Sequence, residues 1–166
     1  MFLSVGHFVL EWEQEMETTA KLFGLLSDQS LAMPGHPSVR TIGRAAWHIV
    51  TTLPEMLEKI GIDVGGPTEK DPIPARAADI VAAYRKHGMA LLNAVKKWSD
   101  EDMFKEDELY GRTWKRGVTL WIMLKHEIHH RGQLTVLMRL SDLPVKGIYG
   151  PSREEWGQYG METPSL

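Results

Sequence analysis

The 166-residue chain contains no cysteine, which excludes disulfides, a thiol nucleophile and thiolate metal ligands. Any metal bound here must take nitrogen or oxygen donors, and the seven histidines become the ligands to look for. Positive charge is not in excess either: 19 Lys and Arg against 22 Asp and Glu leave a net charge of -3. With no dense basic block, nucleic acid is not an expected partner. Long apolar runs are missing, since a stretch such as Leu120-Trp121-Ile122-Met123-Leu124 is far too short to span a bilayer. No membrane association is expected. Near the start, Glu11, Glu13, Glu15 and Glu17 replace the basic and apolar regions of a signal peptide, so the cytoplasm is the expected compartment.

What is present has the composition of a folded globular protein, 43% hydrophobic and 25% charged, with no low-complexity tract. The length fits one domain over residues 1–166. Four segments carry apolar residues at alternating steps of three and four, the spacing that places them on one helix face. The first runs through Val5, Phe8, Trp12, Met16, Leu22, Phe23 and Leu26 and predicts a helix over 3–28. Pro34-Gly35-His36-Pro37 follows as a connection. The second stripe runs from Ile42 to Ile60, with Ser38 as candidate cap and a kink or restart expected at Thr52-Leu53-Pro54-Glu55. The third covers about 75–98 and the fourth about 116–141. Between them Leu109-Tyr110-Gly111-Arg112 can turn a small hairpin, and Ser152-Arg153-Glu154-Glu155 reads as a capping box opening a short C-terminal helix near Trp156. The expected fold is all-α: a four-helix bundle with long connections, whose packing order the connections leave open.

The chemistry concentrates on the fourth helix. His126 and His130 stand one turn apart, so both imidazoles can reach one point, and neutral imidazole suits Zn, Ni, Fe and Cu. His129, three residues from His126, offers a competing pair. A catalytic site needs a third ligand, for which His48 is the best placed, on an amphipathic helix beside Ala45 and Ile49. His7, His36 and His87 are poorer, being near a terminus, in a connection, and isolated. The string His126-Glu127-Ile128-His129-His130 also matches the zinc-peptidase pattern, in which Glu127 would be the general base. Its extension with a third histidine fails at Gln133 and Val136. Glu127 and Arg131 equally form an ordinary i,i+4 ion pair, and Arg131 and Gln133 can tie their helix to neighbours.

Three stretches resemble the DinB-like (DinB/YfiT) superfamily: Ala46-Trp47-His48-Ile49, His126-Glu127-Ile128-His129-His130-Arg131-Gly132-Gln133-Leu134, and Leu143-Pro144 followed by Ile148-Tyr149-Gly150-Pro151. The resemblance covers the whole chain and implies a four-helix bundle, often homodimeric, with a metal on His48, His126 and His130. His129 matches a frequent extra histidine that is not the usual ligand. Relatives include transferases that couple low-molecular-weight thiols to electrophiles and thiol-dependent isomerases.

The resulting expectation is an enzyme dependent on a divalent metal, Zn or Ni, acting on a small molecule as thiol transferase or hydrolase. A non-catalytic metal-binding stress-response bundle and a zinc peptidase are the alternatives. No catalytic acid or base is assigned; Glu127 and His129 are the candidates for orientation or proton transfer.

Overall fold

The computed structural model describes residues 1–33 and 37–165. The expected Pro34-Gly35-His36-Pro37 connection, and His36 with it, fall largely outside those residues. The architecture is helical throughout apart from one two-stranded hairpin.

Helix α1, Val5–Phe23, starts where the Ser4 hydroxyl accepts the His7 backbone N–H. It is shorter than the predicted 3–28. After Gly24 the chain turns extended at Ser27, whose hydroxyl and backbone exchange hydrogen bonds with Ser30, and this reciprocal cap opens a one-turn helix, α2, Asp28–Leu31. Leu26 still reaches the core, which explains why periodicity alone extended the first helix. Asp28 then accepts the backbone N–H of Ala77, supplying a cap that Arg76 lacks for α4, Ala77–Val95.

Helix α3, Ile42–Glu58, is capped by Thr41 rather than Ser38. It continues through Pro54 without the expected restart. The Thr51 and Thr52 hydroxyls donate to the His48 carbonyl inside the helix, so Thr52 is not a cap. Leu53, Met56 and Leu57 are buried on both sides of the proline, and that packing outweighs one missing backbone donor.

The hairpin forms as expected. Strand β1, Glu106–Leu109, pairs antiparallel with β2, Arg112–Lys115, across Tyr110-Gly111. Both turn residues have positive φ, 51° and 72°, which a two-residue turn matching the strand twist requires and which glycine adopts freely. Helix α5 follows as Arg116–Leu140. The expected C-terminal helix is a single 3-10 turn, Trp156–Tyr159. Only half of the anticipated capping box exists: the Glu155 carboxylate accepts the Ser152 N–H, and the Glu155 N–H goes to the Ser152 carbonyl rather than to its hydroxyl.

Helix α3 packs on α4 and α5, and α1 packs on the same two, so α1 lies diagonally from α3. Their interior is lined by Trp12, Phe23, Ile49, Leu57, Tyr84 and Leu134. This order brings the middle of α3 against the middle of α5, where the histidines lie. No helix is long and apolar enough to cross a membrane among the described residues.

Candidate metal centre

His48 sits on α3 and His126 and His130 on α5, at the most extensive helix pairing in the bundle. The Nε2 atom of His130 lies 3.2 Å from that of His48 and 3.1 Å from that of His126. One ring nitrogen from each histidine falls within 4.8 Å of the others, so the three can hold a metal ion. All are half-buried.

The opposite ring nitrogens explain which tautomers are present. Glu69 places Oε2 3.1 Å from His48 Nδ1, and a carboxylate accepts only, so Nδ1 carries the proton and Nε2 a free lone pair. Glu69 is itself held by the Thr51 hydroxyl at 2.8 Å and lies 3.8 Å from Arg44. Burial opposes its ionisation, but the His48 and Thr51 hydrogen bonds and the Arg44 charge outweigh it and hold its pKa below the usual range. Gln133 Oε1 lies 2.8 Å from His130 Nδ1 and fixes the same tautomer there. Hydrogen bonds to the outer nitrogen are how proteins orient histidine ligands and raise their basicity.

Burial, together with the charges of the neighbouring histidines and Arg40, lowers the pKa of His126 to about 4; burial is again the main cause for His130, whose pKa is also lowered. Both imidazoles stay neutral at physiological pH, the form a metal requires. The donor set therefore fits a borderline-soft divalent cation, with one nitrogen, His126 Nδ1, left without a partner.

The remaining candidates lie elsewhere. His129 is exposed and takes a hydrogen bond from Gln133 Nε2 at 3.0 Å, so it stands outside the cluster. His7 is exposed near Glu11. His87 is buried on α4 behind the 63–69 loop, where a Cβ on Gly66 would come within 2.8 Å of its ring. Glu127 is not a surface residue paired with Arg131. It is 3% exposed, turned to the bundle interior, and its Oε1 accepts the Tyr84 hydroxyl at 2.6 Å and the Thr19 hydroxyl at 2.7 Å. That orientation removes the general base which a peptidase reading needs. Arg131 pairs instead with Glu15 at 2.5 Å and donates to Tyr149, tying α5 to α1 and to the tail as the sequence allowed. Among the described residues Gln133 ties no helices together; its amide serves two histidines of its own helix.

Glu69 was missed by sequence reasoning. It lies in a connection with no periodicity, and no motif points to it. Beside it a cavity of about 470 Å³ opens between α3 and residues 63–69, lined by His48, Thr51, Glu55, Glu58, Asp63 and Glu69 among others, with no Lys or Arg.

Four long helices that bring three histidines of two facing helices together define a class of helical bundles with a histidine triad able to hold a metal ion. The chain belongs to the DinB family, whose profile matches residues 1–163. It is 36% identical over 167 residues to the uncharacterized protein YrdA of Bacillus subtilis strain 168, covering the full length of both. A DinB-like protein of Bacillus cereus ATCC 10987, solved by crystallography, superposes with a TM-score of 0.86 at 37% identity, over 90% of this chain and all of that one. The DinB-like protein YjoA of Bacillus subtilis shares the fold at a TM-score of 0.66 and 18% identity, over 84% and 96% of the two chains.

Proposed function

We propose that this chain is a divalent-metal-dependent enzyme, with His48, His126 and His130 as ligands of Zn or Ni, that couples a small thiol to an electrophile or hydrolyses a small substrate. The observation that carries this reading is the convergence of three Nε2 atoms, with Glu69 and Gln133 holding two of the rings from behind.

A divalent cation held by three neutral ligands would keep its full charge and lower the pKa of a thiol or water molecule bound beside it. The chain's own residues prepare for that. Glu69 and Gln133 orient the imidazoles of His48 and His130, burial favours the unprotonated form of His126 and His130, and the cavity against His48 gives a small molecule access. With no cysteine in the chain, a thiol nucleophile has to arrive as substrate.

Elemental analysis of protein purified without an affinity tag tests the reading, followed by a screen of small thiols against electrophiles. About one metal per chain is expected in the wild type, and His48→Ala, His126→Ala and His130→Ala should lose both metal and turnover. Full metal retention in all three variants sinks the proposal. Metal binding without turnover of any thiol, ester or amide favours the non-catalytic bundle instead.

A further inference from the structure

A second groove, of about 620 Å³, adjoins the histidine cluster and shares no lining residue with the acidic cavity. Its walls come from the segment before α3 and from the last turns of α5. Val39, Val136 and Leu140 line it with 49%, 57% and 75% of their surface exposed, and Leu137 and Ala45 form the buried part. Exposed apolar side chains occur elsewhere on the surface, but here they gather around two long polar side chains, with Ser38 also on the rim. One is Gln133, the residue whose amide oxygen holds His130. The other is Arg40, which makes no hydrogen bond or ion pair among the described residues, although its charge is felt at both His126 and His130.

An unpaired guanidinium at the edge of an apolar groove has a defined complement. Arginine presents several N–H donors in a planar fork that matches a carboxylate, while the aliphatic walls favour a hydrocarbon body removed from water. The acidic cavity across His48 has the reverse preference: four carboxylates line it and, among the described residues, only Glu69 of the four has a cation, Arg44 at 3.8 Å, so the excess negative charge repels an anion.

We propose that the Arg40 groove is a binding site for a hydrophobic small-molecule carboxylate, which sets its anionic group on Arg40 and its apolar body along Val39, Val136 and Leu140. Assignment of that ligand as the substrate rests on the metal-enzyme reading above; the binding itself does not. The two therefore fail separately.

The test is calorimetric titration of the full chain, metal-free and metal-loaded, with octanoate, and with octylamine and octanol as controls of equal chain length. Metal content is measured on the same samples and oligomeric state by sedimentation velocity. Octanoate should bind both forms, at least about tenfold more tightly than octylamine. Arg40→Ala should abolish that preference while leaving circular dichroism and metal content unchanged, and Val136→Ser with Leu140→Ser should weaken octanoate by a similar factor. His130→Ala should still bind octanoate. Octanoate binding confined to the metal-loaded form and indifferent to Arg40→Ala would mean that the carboxylate ligates the metal, and overturns the proposal. So does a dimer that dissociates in the Val136→Ser, Leu140→Ser variant while octanoate binds neither state, because the groove is then a contact between copies of the chain.

Discussion

His126 and Glu127 are neighbours on α5, as are His130 and Arg131, yet the two pairs live in opposite environments. The histidines face α3, half-open, with their Nε2 atoms within 3.2 Å of one another along the chain His48, His130, His126. Glu127 and Arg131 face the interior between α1 and α4, where Thr19, Tyr84, Glu15 and Tyr149 satisfy most of their polar atoms. Burying polar groups is costly unless they are paired, and apart from Glu127 Oε2 the interior network is built as a closed unit that pins α1, α4, α5 and the tail. The histidine cluster is built as an incomplete one, with the outer nitrogens of His48 and His130 anchored and the three Nε2 atoms turned toward one another. Adjacent residues thus divide between holding the bundle together and holding something else.

Breaking the closed unit should cost most. Arg131→Met leaves the Glu15 carboxylate buried without its cation, and removal of one partner of a buried pair destabilises by about 3–5 kcal/mol, measurable by urea unfolding. Metal content of the folded fraction should not change. Removing an anchor of the open unit should show the converse: Glu69→Ala should weaken metal binding about tenfold, read by competition with a chelator, with unfolding midpoint little altered in the metal-free protein.

The two units also respond to pH with opposite sign. Burial pushes Glu127 up to about 7 from 4.5, against the Tyr84 and Thr19 hydrogen bonds and the Arg131 charge. Between those values the folded chain holds a proton that the unfolded chain has released, so this contribution is present at low pH and lost as pH rises through about 7. His126 is lowered from 6.5 to about 4, so its contribution is present above 6.5 and lost as pH falls toward 4. Glu127→Gln, which stays neutral, should therefore gain roughly 2 kcal/mol over the wild type between pH 5 and pH 8 in the metal-free protein. Parallel curves for the two proteins would show that Glu127 is already ionised at pH 5. The smallest effect is expected from Tyr149→Phe, which loses the hydroxyl shared by Arg131 and Glu15 and should cost about 1 kcal/mol with metal binding intact.

The comparison also explains how far the sequence could be read. Helix existence was legible because four apolar stripes are long and regular, whereas the end of the first helix was not, since a serine cap at Ser27 interrupts a stripe that remains buried on both sides. The pair His126 and His130 follows from helix geometry alone, but His48 joins them only through the packing of α3 on α5. Residue types on α5 mislead locally: it buries Glu127 and Arg131 and exposes Val136 and Leu140, the reverse of the usual face assignment. An i,i+4 carboxylate and arginine on such a helix read as a solvated ion pair until the partners on α1 and α4 are known. Glu69 had no local signal at all, because its role depends on how a non-periodic connection returns over α3.

X-ray absorption at the edge of the bound metal measures directly which side chains surround it. Three imidazole nitrogens at about 2.0–2.1 Å are predicted for zinc, with the same spectrum in His129→Ala and Glu127→Gln. A shell of carboxylate oxygens, or a spectrum that changes when His129 is removed, would contradict the division of α5 into an open histidine face and a closed interior one.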